Sequence, residues 1–415
     1  MKRAIILSIG DELVSGAIVD TNSAWLSVRL MELGYAVGRH VTVGDERSAI
    51  RGELLATAAA ADAVVVTGGL GPTLDDVSRH GLADALGVEL VEDARSLERI
   101  AAYFAARGRE MRPSNRVQAL CPRGAELLDN ECGTAPGLLA RLGRAQVFIL
   151  PGVPHEMREM FERQAAPLLA GAGAIARRVL HTCGLGESNI GERLADLMAR
   201  GRNPSVGTTA CAGVISVRIL AAPADDSPQA AAAAERAADA DAAEVRRRLA
   251  DIIFGEGDQT LSVAVGQLLR RRGQTLAVAE SCTGGMLGQM ITAVPGSSDY
   301  FLGGLVVYAN AAKIELAGVD RGLLEAHGAV SEPVAAALAR GAAGRLGADC
   351  GVGITGIAGP GGGSPQKPVG LVWVAVAGPG GRVRTERGLI PGGREFVRTR
   401  ACVIALHLLW RSMAD

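Results

Sequence analysis

Apolar residues in this chain fall in short dense runs separated by polar stretches with helical spacing. "AIILSI" (4–9), "YAVGRHVTV" (35–43), "ADAVVVTGG" (61–69) and "AQVFILPG" (145–152) have strand length, and two of them run into glycines. Such runs suit strands covered on both faces. Between the first two, Asp20-Thr21-Asn22 can cap a helix that turns Trp25, Leu26, Leu30 and Leu33 inward and closes at Gly34. Strands alternating with helices predict parallel βαβ units.

The texture changes near residue 172. "ARRVLHTCG", a helix over 187–201 and a strand over 213–221 lead to a Pro/Asp/Ser loop from residue 223. The Ala-rich segment after that loop predicts a helix, with Val245, Leu249, Ile252 and Ile253 at helical spacing. From Gly257 the first rhythm returns. A helix (260–272), "TLAVAE", a helix (285–294), "FLGGLVVYA" (301–309), a helix (331–346) and "CGVGITGI" (350–357) follow in turn. A hairpin and a last helix from about Gly393 complete the chain. The expected fold is α/β: two three-layer αβα domains with mainly parallel sheets, at 1–171 and 257–415, joined by a small α+β module at 172–256. No internal repeat links the two large domains.

At 415 residues the chain exceeds one ordinary core. Its 43 Lys and Arg against 44 Asp and Glu, with only 3% aromatics, argue against a general nucleic-acid surface. Direct nucleic-acid binding is not expected. The seven cysteines are scattered and never form Cys-x-x-Cys, which points to a reducing cytoplasm without a zinc site. No run reaches the roughly 20 apolar residues of a membrane span, and the apolar start meets Gly10, Asp11 and Glu12 too soon for a secretory signal.

Candidate chemistry gathers at predicted strand ends. "AESCTGG" (279–285) sets Ser281, Cys282 and Thr283 between a strand and a helix, before Gly284 and Gly285. Tyr308 closes another strand, Lys313 follows it, Thr355 and Gly356 end a third, and Arg394 opens the last helix. In a parallel sheet such positions meet along one edge. Glycines at a helix start offer N–H groups to a phosphate, and Arg394 could bind the same anion. A serine nucleophile needs a base. No His lies in these loops, so Lys313, kept neutral by burial or a nearby cation, is the remaining candidate.

"AESCTGG", "PGSSDYFLGGLVVYANAAK" (295–313), "GAVSEP" (328–333), "GITGIAGPGGGSPQKPVG" (353–370) and "PGGREFVR" (391–398) together resemble the nicotinamide-nucleotide amidase (PncC) family over nearly all of residues 258–413. The resemblance implies conversion of nicotinamide mononucleotide to nicotinic acid mononucleotide and ammonia, without a cofactor. Ser281 would be the nucleophile and Lys313 the base, with Tyr308 supporting them. Thr283, Gly284, Gly285, Thr355, Gly356 and Arg394 would bind substrate.

Near the N-terminus, Thr67, Gly68, Gly69 and Gly71 follow a buried strand and read as a phosphate-cradling loop. Thr21 and Asn22 at a helix start join it as nucleotide-site candidates. Asp75 and Asp76, with Asp45 and Glu12 on other loops, supply oxygen ligands for a hard cation such as Mg2+. "VVVTGGLGPTLDDVSR" (64–79), "CGTAPG" (132–137) and "LPGVPHEM" (150–157) resemble the molybdopterin-binding (MoaB/MogA-like) domain that opens the CinA family, and the whole chain resembles that family end to end. This implies ADP-ribose pyrophosphatase activity with a divalent metal, aided by K+, and a homodimer. Asp45 and Asp76 match the family's two acidic positions, while "SRH" (78–80) and "DNECGTAPG" (129–137) depart from its usual pattern. Two other readings stay open: an amidase with a catalytically silent front domain, and a competence or DNA-damage accessory acting through a protein partner.

Overall fold

The computed structural model describes residues 2–170, 173–225 and 227–414. The boundary expected at 171 and 172 falls outside these residues. By packing, the chain divides into two compact units, 1–177 with 220–238, and 178–219 with 239–415. The fold is α/β, as the run pattern predicts, and each unit is described by itself.

The first unit is built on a six-stranded sheet. Its order is Tyr35–Val43, Lys2–Ile9, Ala63–Thr67, Ala145–Leu150, Gly137–Leu142, Glu126–Leu128. The first four strands are parallel and the last two antiparallel. Alternation along Lys2–Ile9 separates the two faces. Ile5, Leu7 and Ile9 pack with Ile50 and Leu54 of the helix Arg47–Ala60. Ala4 and Ile6 pack with Leu26 and Leu30 of the helix Thr21–Glu32, and with Phe161. Both faces are therefore covered, which is why these strands read as unbroken apolar runs. Trp25 meets Phe161 edge-on at 5.6 Å, and Asp20 caps the helix by accepting the Ser23 N–H at 2.9 Å.

The second unit repeats the layering on a five-stranded sheet, ordered Phe301–Val306, Leu276–Glu280, Cys350–Gly356, Leu371–Ala377, Val383–Leu389. The first three strands are parallel and the rest form antiparallel hairpins. Leu276 and Val278 join a core with the helices Leu261–Arg272 and Arg394–Ala414. Ala277 and Ala279 face the helix Glu332–Leu346 on the other side.

The middle segment forms a four-stranded sheet, ordered Ser205–Cys211, Val214–Ala221, Ala176–Cys183, Ile253–Glu256, and the Ala-rich segment is a helix, Pro228–Leu249. The helix expected over 187–201 is shorter, Glu187–Arg193. The strand Ser205–Cys211, exposed along its C-terminal half, lacks the apolar run that would reveal it. No helix among the described residues is long and apolar enough to cross a membrane.

Candidate functional site

Leu276–Glu280 lies between Phe301–Val306 and Cys350–Gly356, with Glu280 opposite Val306 on one side and Ile354 on the other. The ends of these three strands therefore bring Ser281, Val307–Tyr308 and Thr355–Gly356 to one edge of the sheet. Ser281 is 8% exposed and its N–H donates to the Ile354 carbonyl at 3.0 Å. The Val307 N–H donates to the Glu280 carbonyl at 2.8 Å, locking the neighbouring turn to the residue before Ser281.

Lys313 is only 1% exposed. Its Nζ donates to the carbonyls of Val307 and Tyr308, each at 2.9 Å. Both acceptors are neutral. Burial holds the ammonium below its ordinary range, against a smaller opposing effect of Cys282. Cys282 is itself buried, and burial pushes its thiol up to about 11. It packs so closely on Gly356 that a Cβ at that glycine would lie 3.1 Å from Sγ. Of the adjacent candidates, the cysteine is thus held as a thiol at neutral pH.

The N–H groups expected to receive a phosphate at the 285–294 helix start are already used. The buried Glu280 carboxylate accepts the N–H groups of Gly285, Leu287 and Gly288 at 3.1, 3.0 and 2.8 Å. This side chain fills the positive end of the helix Met286–Thr292 from within the protein. Gly284 and Gly285 instead make the turn, at φ 59° and 94°, a region costly for other residues. Thr283 is fully buried and its Oγ1 has no partner among the described residues. Thr355 is buried too, with Oγ1 donating to the Ala329 carbonyl at 2.7 Å.

Arg394 does reach this edge. Its Nη1 donates to the Gly359 carbonyl at 2.8 Å and its Nη2 to Tyr308 Oη at 3.2 Å. The strand ends at Val306, so Tyr308 stands in the following loop, 61% exposed. One turn further, Arg398 donates to the Thr283 carbonyl at 2.7 Å, and its buried Nε has no partner among the described residues. Sequence reasoning overlooked Arg398 and Glu280. The first is signalled by its i+4 spacing from Arg394, the second by a carboxylate ending an apolar strand before glycines. Two arginines with neutral partners leave positive charge at this edge for an anion.

The N-terminal candidates meet elsewhere, in a cleft of about 500 Å³ in the first unit. Thr67, Gly68, Gly69, Gly71, Thr21, Asn22, Glu12, Asp45, Asp75 and Asp76 all line it. The loop is pinned from behind. Ser78 Oγ donates to the Gly68 carbonyl at 2.7 Å, and the fully buried Arg79 donates to the Leu70 carbonyl at 2.8 Å. Burial lowers the Arg79 guanidinium to about 10, against the pull of Asp76. Arg79 lies inside "VVVTGGLGPTLDDVSR", where the sequence alone gives no sign of its burial. Asn22 Nδ2 donates to the Gly152 carbonyl at 2.8 Å, while its Oδ1 has no partner among the described residues.

The four acidic residues share the cleft without forming a cage. Asp76 faces its own loop, accepting the Gly71 N–H at 2.7 Å, the Thr73 N–H at 2.8 Å and the Thr73 hydroxyl. The Asp45 carboxylate accepts the Asp11 N–H at 2.9 Å and the Asp11 carboxylate accepts the Asp45 N–H at 3.1 Å. Burial raises the Asp45 carboxyl, the Asp11 N–H opposes this, and the charges of Asp11, Glu12 and Asp75 add to the rise. Among the described residues, no three His, Cys, Asp or Glu side chains stand together to hold a metal ion. One or two carboxylates are nevertheless enough for a cation carried mainly by substrate phosphates and water.

Comparison with known proteins adds a lineage to this geometry. Residues 258–413 match the family described as "CinA C-terminal domain", and 5–171 the "Probable molybdopterin binding domain". Residues 177–255, read from the sequence only as a small α+β module, match the "Damage-inducible protein CinA KH domain". A CinA-like protein of Geobacter sulfurreducens is 45% identical over 417 residues, covering 98% of each chain. One from Dictyoglomus thermophilum is 40% identical over 415 residues and covers all of both. Among solved structures, the competence/damage inducible protein CihA from Agrobacterium tumefaciens is 37% identical. It covers 37% of this chain and 94% of its own, with a TM-score of 0.36.

Proposed function

Since the chain belongs to the CinA family, we propose that its C-terminal domain hydrolyses the amide of nicotinamide mononucleotide to nicotinic acid mononucleotide and ammonia. The observation that carries this reading is Lys313: a buried amine with neutral carbonyl partners, at the sheet edge where Ser281 stands. An amine whose burial favours the neutral form can take the proton of a nearby hydroxyl at neutral pH. The Ser281 oxygen then attacks the amide carbon and the proton passes to nitrogen as ammonia leaves. Water hydrolyses the resulting ester and restores the serine. Arg394 and Arg398 supply positive charge for the substrate phosphate, and Tyr308, bonded to Arg394, flanks it. With the Met286 helix start taken by Glu280, these arginines rather than helix N–H groups are assigned the phosphate.

For the N-terminal domain we propose cleavage of ADP-ribose at its diphosphate. The glycine loop from Thr67 to Gly71 suits the phosphates, and the unpaired Asn22 Oδ1 suits a hydroxyl or amino donor of the nucleoside. A divalent cation on one or two of Asp45, Asp75, Asp76 and Glu12, with K+ assisting, would neutralise diphosphate charge. One observation favours a second reading in which this domain binds nucleotide without cleaving it: Asp76 is already engaged by its own loop. Both large domains would then serve pyridine-nucleotide turnover, in the cytoplasm and as a homodimer.

The test offers the purified chain nicotinamide mononucleotide, following ammonia, and ADP-ribose with Mg2+, following AMP. Ammonia and AMP together support the full proposal. Ammonia alone supports the binding-only front domain, and no ammonia refutes the amidase.

A further inference from the structure

A second cavity lies in the second unit, lined by none of the residues assigned to the amidase. It holds about 640 Å³, within the usual size of a small-molecule site. Its floor is one stripe of the last helix, Arg400, Ile404, His407 and Arg411, spaced so that they share a face. Arg384 and Glu386, two apart on the strand Val383–Leu389, form a wall, and Cys183 and Gly184 close one end.

The charges are not balanced. Arg400 and Arg411 face one glutamate, Glu386, whose carboxyl burial raises and the two arginines pull down. Burial together with Arg411 and Arg400 holds the His407 imidazole down to about 4, hence neutral. Arg400 donates to the Ala212 carbonyl at 3.0 Å, a neutral partner. Neither Arg400 nor Arg411 has a carboxylate within ion-pair distance among the described residues. Besides Thr385, whose hydroxyl donates to Glu332, the lining is apolar or flat: Ile404, Leu408 and the His407 ring, which stacks on Trp410 at 6.1 Å. Gly184 lets that ring approach, since a Cβ there would lie 2.9 Å from His407 Cε1.

We propose that this cavity is a binding site for a phosphorylated small molecule of about mononucleotide size. Its phosphate charge would be met by Arg400 and Arg411 and its ring by the His407–Leu408 wall. Arginine forks bind phosphate oxygens in pairs, and two arginines outside any close ion pair match a phosphate monoester or diphosphate better than a single carboxylate.

Trp410 reports on the site through His407. In the full chain with Trp25→Phe and Trp373→Phe, AMP and inorganic pyrophosphate are titrated against Trp410 fluorescence. The expected result is a saturable change with at least one probe. Arg411→Ala should weaken it by about tenfold or more, as for a lost charge-assisted contact. Arg382→Ala, exposed and outside the lining, should leave it unchanged. Glu386→Gln should tighten binding severalfold, a gain that damage to the fold cannot produce. Should the tryptophan variants not fold, calorimetry on the otherwise native chain with the same three variants gives the same comparison. No saturable change, or equal affinities across the Arg411, Glu386 and Arg382 variants, overturns the proposal.

Discussion

Removing the Glu280 carboxylate should loosen the turn that holds Ser281. Glu280 is 2% exposed and accepts three N–H groups, from Gly285, Leu287 and Gly288. Hydrogen bonds to a charged group contribute roughly 1.5–3 kcal/mol each, so even the lower value gives about 4.5 kcal/mol for Glu280→Ala. Glu280→Gln keeps one acceptor oxygen but sets an NH2 against an N–H donor, so about half that loss is expected. Each 1.4 kcal/mol is about tenfold in an opening equilibrium, so hydrogen exchange over residues 281–292 should quicken about 10³-fold in the Ala variant. A local readout is needed because a chain of several domains has no single unfolding free energy. Ammonia release should fall in the same order, Ala below Gln below the native chain. Exchange in this segment unchanged by Glu280→Ala would refute the reasoning, since the carboxylate would then contribute nothing to the turn.

Three further outcomes follow from the same geometry. Ser281→Ala should abolish ammonia release while Cys282→Ala keeps most of it, because burial holds that thiol up at about 11; the reverse pattern would move the nucleophile to the cysteine. Lys313 has a folded-state pKa below its ordinary 10.5, so the unfolded chain binds more protons between the two values and stability rises with pH across that window. Lys313→Met should remove that rise in pH-dependent denaturation and, with Lys313→Arg, remove turnover; activity surviving both changes would exclude Lys313 as the base. In the front cleft, the Asp45 carboxyl is raised, so the native state holds its proton longer and ionised Asp45 costs stability at neutral pH. Asp45→Asn should therefore raise the melting temperature of the first unit while lowering AMP release from ADP-ribose, and a fall in both would contradict the repulsion.

Much of this was legible in the sequence, for a physical reason. Strands covered on both faces must be apolar throughout, so "AIILSI", "VVVT", "TLAVA" and "GVGIT" declare themselves, and parallel order puts their ends on one edge. Short or exposed strands such as Ser205–Cys211 carry no such signature and were missed. The front cleft gathers every residue that its motifs nominated, because all of them sit at strand ends or the helix starts beside them.

What the sequence could not decide is where each polar side chain spends its hydrogen bonds. Glu280 and the N–H groups it accepts are eight residues apart at most, yet only the folded turn shows the carboxylate taking N–H groups a phosphate was expected to use. Asp76 reads as a metal ligand, and only the fold shows that its oxygens also accept hydrogen bonds from Gly71 and Thr73. Lys313 reads as a base that burial or a nearby cation must keep neutral, and only packing shows that it is burial, with two carbonyls as its partners. Residue type and order determined the layers and the edge where chemistry collects. Burial and direction, which exist only once distant segments pack, decided which of those groups remain available to a ligand.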